Sequence, residues 1–179
     1  MLTVGDQFPA FHLRAVVGND PASAFVDVDE RTHEGLWKVF VFYPKDFTFV
    51  CPTELAAFGR LDAAFRDRDA VVLVASTDSE FVHLAWRRSH DDLRELPCPM
   101  LSDVRRDLSM SLGILDDAER VCQRATFIVD PLGVIRFVSV TDGKVGRNPE
   151  EVLRVLDALQ TDELCPCNWK PGQQTLKVA

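Results

Sequence analysis

The chain has no apolar run approaching the roughly 20 residues that a membrane-spanning helix needs. Its mean hydropathy of −0.03 fits that absence. The opening Met1-Leu2-Thr3-Val4-Gly5-Asp6 shows no basic segment leading into an apolar core. No secretory signal is therefore expected, no membrane association is expected, and a cytoplasmic location is. Basic residues are few, 20 Lys and Arg against 28 Asp and Glu, for a net charge of −8. They are scattered, so the phosphate-neutralising patch of a nucleic-acid binder is missing. The acidity reads as solubility. Cys-x-x-Cys is absent, and His12, His33, His83 and His90 share no ligand spacing. Each histidine reads as a surface or packing residue, and neither a metal nor a cofactor is expected. There are no internal repeats or low-complexity segments, and tyrosine occurs once, at Tyr43.

What the chain does have is five cysteines, Cys51, Cys98, Cys122, Cys165 and Cys167. An odd set without an export signal suits a reducing compartment, where cysteines are catalytic or buried, better than a disulfide framework. Cys51 stands out by its surroundings, Pro44-Lys45-Asp46-Phe47-Thr48-Phe49-Val50-Cys51-Pro52-Thr53-Glu54. The stretch follows a hydrophobic run and leads into a helical pattern at Leu55. Pro52 suits the first helical position, making Cys51 the cap or a first-turn residue. A thiol there meets unpaired backbone N–H groups and the positive end of the helix dipole, which favour the thiolate. Taken alone, a free cysteine is more often a small buried hydrophobe.

At 179 residues the chain is long enough for one domain with a real core. Val4–Phe11 reads as an extended arm, and the weakly patterned stretch from Arg14 to Gly35 as a peripheral hairpin. Trp37–Tyr43 and Ala70–Ala75 are nearly continuous apolar runs, as in strands covered on both faces. Leu55, Phe58, Leu61 and Phe65 mark a helix ending around Asp67 to Asp69. Ser76–Ser79 offers caps for a helix through Trp86, and Ser102 or Asp103 for a short one stopping at Gly113. Val121–Asp130, a tight Asp-Pro-Leu-Gly turn and Val134–Val140 form a second hairpin. Asn148-Pro149-Glu150-Glu151 opens the last helix, with Val152, Val155, Leu156 and Leu159 as its stripe. This order describes a three-layer α/β domain with a mixed sheet over residues 1–162, followed by a tail, 163–179, carrying Cys165 and Cys167.

Pro-x-x-x-Thr-x-x-Cys followed by Pro-Thr-Glu resembles the active-site motif of the peroxiredoxins. The longer Asp46–Glu54 string is similar to their alkyl hydroperoxide reductase branch. The resemblance runs from about Val4 to Trp169 and is thin between Arg14 and Gly35. It implies a thioredoxin-like fold with an N-terminal extension. It also implies reduction of hydrogen peroxide and alkyl hydroperoxides through a sulfenic acid at Cys51, the peroxidatic cysteine. Arg-Ala-Thr-Phe-Ile-Val-Asp-Pro resembles the segment supplying the active-site arginine and falls on Arg124. By itself, an arginine in a strand more often reaches out to solvent. Arg147 matches a second family arginine, expected to pair with Glu54 and fix the helix start. Thr48 is expected to orient the peroxide beside the sulfur, and Pro44 to shield the nucleophile. Phe47 and Phe49 read as core or pocket walls.

The segment around Cys165 resembles the one bearing the resolving cysteine. In that family the disulfide joins two subunits, so a homodimer is implied, with dimers gathering into rings. Cys167 adds a thiol to the plain pattern, which resembles actinobacterial members and implies an alternative or auxiliary resolving residue there. Cys98 and Cys122 match no catalytic position and read as structural. Without Cys-x-x-Cys of its own the chain needs an external reductant: thioredoxin, a flavoprotein disulfide reductase or a Cys-x-x-Cys adaptor. The family's Tyr-Phe-containing C-terminal helix is missing, so comparative resistance to over-oxidation is expected. The competing reading is a redox-sensing or holdase-type interaction protein that uses Cys51 oxidation as a switch. A thioredoxin-like disulfide oxidoreductase is a third, weakened because Cys51 lacks a partner thiol nearby.

Overall fold

A computed structural model describes residues 1–177. The last two residues of the expected tail, 178 and 179, lie outside the described residues. Seven strands form one sheet in the order β2-β1-β5-β4-β3-β6-β7. β3 (Trp37–Phe42), β4 (Ala70–Ser76) and β5 (Met100–Ser102) run parallel. β1 (His12–Val16) is antiparallel to β5 and forms an edge hairpin with β2 (Phe25–Asp29), which accounts for the weakly patterned N-terminal region. At the other edge β6 (Arg124–Val129) and β7 (Ile135–Thr141) form the second hairpin, with β6 antiparallel to β3.

The continuous apolar runs are buried on both faces because successive side chains point opposite ways. Val39, Val41, Val72 and Val74 face one core with Leu55, Phe58, Phe65, Trp86, Val152 and Leu156. Phe40, Phe42, Leu73 and Ala75 face the other, which Phe8, Phe11, Leu108 and Leu112 close. Helices α1 (Cys51–Arg60), α2 (Asp62–Arg66), α3 (Glu80–Ser89) and α6 (Pro149–Gln160) therefore cover one face, and α5 (Asp107–Leu112) with the N-terminal arm covers the other. This is a three-layer, mixed-sheet domain of the thioredoxin-like kind.

The single helix expected from Leu55 onward is two, broken at Leu61, whose backbone leaves the helical region. Ser79 caps α3, and Asn148 caps α6 by accepting from the amides of Glu150 and Glu151. For α5 the expected cap acts at a distance. Arg106 occupies the cap position in a left-handed conformation, while the Asp103 carboxylate accepts from the amides of Leu108 and Ser109. A short α4 (Asp91–Arg94), too brief to show periodicity, follows α3.

Beyond α6 the described residues of the tail form no helix but fold back. Leu164 bridges Leu176, Trp169 is buried, and Arg154 on α6 donates to the Trp169 carbonyl at 2.8 Å.

Candidate active site

β3 delivers the chain to the loop Pro44–Val50, and Cys51 is the first residue of α1 with Pro52 next. Val50 offers no side-chain cap, so the first turn relies on its carbonyl, which accepts from the amides of Thr53 and Glu54. The sulfur thus sits at the electropositive end of a ten-residue helix while being 1% exposed.

Arg124, at the start of β6, brings its guanidinium to that sulfur. Nη1 donates to Cys51 Sγ at 3.7 Å and also meets Glu54 Oε2, and Nη2 donates to the Gly143 carbonyl at 2.8 Å. Glu54 is held from its other side by Arg147. The Arg147 backbone N–H and Nε donate to Oε1 at 2.8 and 2.9 Å, and Nη2 donates to Oε2 at 3.1 Å. Arg147 Nη1 reaches the carbonyls of Phe42 and Ala125, both at 2.9 Å, which ties the helix start to β3 and β6. Burial pushes the Arg147 guanidinium down from its ordinary value, and the Glu54 carboxylate opposes that push. An arginine remains charged even so.

All four groups are buried. Two guanidiniums and one carboxylate leave one positive charge over, and a thiolate at Cys51 cancels it. In a site screened from water that imbalance is felt strongly. The arrangement is one that can support a sulfur nucleophile, with donors beside it. Arg124 Nε is buried and has no hydrogen-bond partner among the described residues, leaving a donor free for an oxygen.

The Thr48 hydroxyl donates to the Lys45 carbonyl at 3.0 Å. Its lone pairs remain available to accept. Pro44 is half-buried and borders a cleft together with Arg124. Phe47 and Phe49 are not core residues: they are 57% and 93% exposed, because the left-handed backbone at Phe47 (φ 55°) turns the loop outward.

A buried polar network beneath the loop was not visible in the pattern. Tyr43 OH donates to Asp46 Oδ1 at 2.7 Å, and Asp46 Oδ2 lies 2.7 Å from His83 Nδ1. His83 Nε2 lies 3.1 Å from the Leu101 carbonyl, which only accepts, so that nitrogen bears a hydrogen. Burial, then the charge of Asp46, pushes the Tyr43 hydroxyl well above its ordinary value. The network pins the loop to β3, α3 and β5. The one sequence signal was an Asp, a Tyr and a His beside long apolar runs.

Cys98 and Cys122 are buried, and burial pushes each thiol up to about 12, helped by Asp62 and Asp103 respectively. Neither has the chemistry of a nucleophile at neutral pH. Cys165 is half-buried at the end of α6, its sulfur 3.5 Å from Thr161 Oγ1 and 3.8 Å from the Ala158 carbonyl. Cys167 is exposed, and all five thiols are free. Cys165 lies at the C-terminal end of α6, whereas Arg147, just before its other end, bonds Glu54.

Residues 4–138 match the AhpC/TSA family. The chain is 56% identical to alkyl hydroperoxide reductase C of Mycolicibacterium smegmatis, covering 99% of this chain and 95% of that protein. It is 42% identical to peroxiredoxin-2 of Bos taurus, covering 97% and 89%. Among solved structures, Mycobacterium tuberculosis AhpC superposes with a TM-score of 0.88 at 54% identity, over 95% of this chain and 99% of that one. A reduced 2-Cys peroxiredoxin of Plasmodium vivax gives a TM-score of 0.91 at 31% identity, over 99% and 94%. No helix of the described residues is long and apolar enough to cross a membrane.

Proposed function

The chain belongs to the AhpC/TSA family, and on that premise we propose that it is a thiol peroxidase that reduces hydrogen peroxide and alkyl hydroperoxides through Cys51. The observation that carries this reading is the 3.7 Å approach of Arg124 Nη1 to Cys51 Sγ inside a buried cluster closed by Glu54 and Arg147. The Cys51 thiolate attacks the outer peroxide oxygen. An S–O bond forms, the O–O bond breaks, and the leaving oxygen takes a proton to depart as alcohol or water. Arg124 stabilises the charge as it moves from sulfur to oxygen, its Nε serving as the free donor. Thr48 orients the peroxide, and Pro44 keeps water from the sulfur. Glu54 and Arg147 are positioning residues that hold Arg124 and the helix start.

The Cys51 sulfenic acid then loses water to a second thiol and becomes a disulfide. Twelve residues of α6 separate Cys165 from the Cys51 end of the domain, roughly 18 Å at 1.5 Å per residue. A disulfide needs Cα atoms within about 7 Å. That separation favours Cys165 of a second subunit as the resolving thiol, with Cys167 auxiliary to it, and so a homodimer built from the 1–162 domain and its 163–179 tail. Exposed Phe47, Phe49 and Phe81 give such dimers an apolar surface on which to assemble into rings. An external dithiol protein reopens the disulfide by exchange: thioredoxin, a flavoprotein disulfide reductase or a Cys-x-x-Cys adaptor. Such chemistry belongs in a reducing compartment, in keeping with the cytoplasm.

Peroxide consumption with a dithiol reductant tests the reading. Wild type should turn over steadily, Cys51→Ser should be inactive, and Cys165→Ser should stall with a protein reductant. Undiminished consumption by Cys51→Ser would overturn it.

A further inference from the structure

Arg124 borders a cleft of about 410 Å³ whose walls include Pro44, Val121 and Val140. Small-molecule sites run from about 300 to 1,000 Å³, so this one suits a compact group. The Nε of Arg124 is buried without a hydrogen-bond partner among the described residues. A ligand oxygen that reaches the arginine from the cleft would give that donor a partner.

The rim has a definite electrostatic character. Asp116 accepts only from the amides of Ala118 and Glu119, at 3.0 and 2.7 Å, and Asp142 only from the Lys144 amide at 2.9 Å. Neither carboxylate meets a cation within salt-bridge distance among the described residues. Glu119 is answered by Lys45 at 2.7 Å. Arg124 is the sole cation among the described residues lining the cleft, and its charge is matched by Glu54 and the sulfur. Apolar walls therefore end in an unbalanced negative rim, on a molecule of net charge −8.

We propose that this cleft receives the organic group of the hydroperoxide and selects compact, uncharged alkyl or aryl groups over those bearing a carboxylate. The assignment rests on Cys51 being the peroxidatic nucleophile. It adds a specificity that the nucleophile and its arginine do not determine.

Stopped-flow rates of the reduced full-length protein test it, each read relative to hydrogen peroxide. The probes are cumene hydroperoxide, a tertiary-alkyl hydroperoxy acid and the methyl ester of that acid. At low ionic strength the ester should react roughly 5-fold faster than the acid, and the gap should narrow as salt screens the rim. Asp116→Asn with Asp142→Asn keeps the acceptor oxygens and should also narrow it. Val140→Trp should lower the cumene hydroperoxide rate several-fold relative to hydrogen peroxide. Equal rates for acid and ester at low salt overturn the charge selection. Equal losses for both peroxides in Val140→Trp overturn the placement of the organic group. In either case, a brisk hydrogen peroxide reaction leaves the peroxidase reading standing. No reaction with any peroxide brings down both.

Discussion

Nη1 of Arg124 meets both the Glu54 carboxylate and the Cys51 sulfur while Nη2 holds the Gly143 carbonyl, so the planar fork serves three acceptors at once. A lysine would keep the charge and lose the fork. Arg124→Lys is expected to lower the second-order rate with hydrogen peroxide by roughly 10²-fold, the loss typical of removing one preorganised donor. Iodoacetamide, whose reaction develops no such oxyanion, should lose much less at Cys51. Stopped-flow peroxide kinetics beside alkylation rates give the comparison, and equal losses would mean that Arg124 matters only for the thiol. At this scale the local string around Cys51 and the strings at Arg124 and Arg147 pointed to three residues that the structure brings together. The Arg124–Glu54 contact was not legible, since it joins residues 70 apart in the chain through the sheet. The hydrogen-bond partners of the Thr48 hydroxyl and of His83 were not legible either, for a related reason. Which way a short polar side chain turns is decided by tertiary neighbours, here the Lys45 carbonyl and Asp46.

Strands buried on both faces and capped helices were the most readable elements, because each writes a long or chemically specific pattern. β3, β4 and α6 follow the expected runs closely. The break at Leu61 and the left-handed Arg106 leave no such trace, as ordinary residues occupy both. The cap of α6 carries a functional burden, since Asn148 adjoins Arg147. Asn148→Ala should cost about 1 kcal/mol of stability. Denaturant titration measures that, and the peroxide rate should fall as Arg147 loosens. The β6–β7 turn supplies a pH prediction. Burial pushes the Asp130 carboxyl up, but the amides of Val134 and Leu132 and the Arg136 side chain outweigh it and hold the carboxyl below its usual range. A folded value below the unfolded one, about 3.9, gives stability that is present above that pH and lost as pH falls through the folded value. Asp130→Asn should be less stable at neutral pH and flatter below about pH 4. An identical acid profile in denaturant series would remove Asp130 from the account.

The five cysteines divide by environment across the whole molecule. Cys165 and Cys167 lie in the tail at the surface, while Cys98 and Cys122 are sealed in the two cores. In the native protein a bulky maleimide should label the tail thiols within minutes, leaving Cys98 and Cys122 for denaturant. Peptide mapping reads the difference, and early labelling of either core cysteine would contradict their structural role. The tail itself was legible only as a loss of periodicity. Its docking by Arg154 and Trp169 depends on contacts made after the helix has formed. The proposed pairing of Cys51 with Cys165 of a second subunit rests on the length of α6 between Cys165 and the Cys51 end of one domain. Intact mass of the reduced protein after one equivalent of hydrogen peroxide tests that pairing most directly. The account predicts a covalent dimer whose linked peptides contain Cys51 and Cys165, or Cys167 after exchange. A monomer that consumes the peroxide and carries the Cys51–Cys165 disulfide within one chain, or one that leaves the peroxide unconsumed, would contradict it.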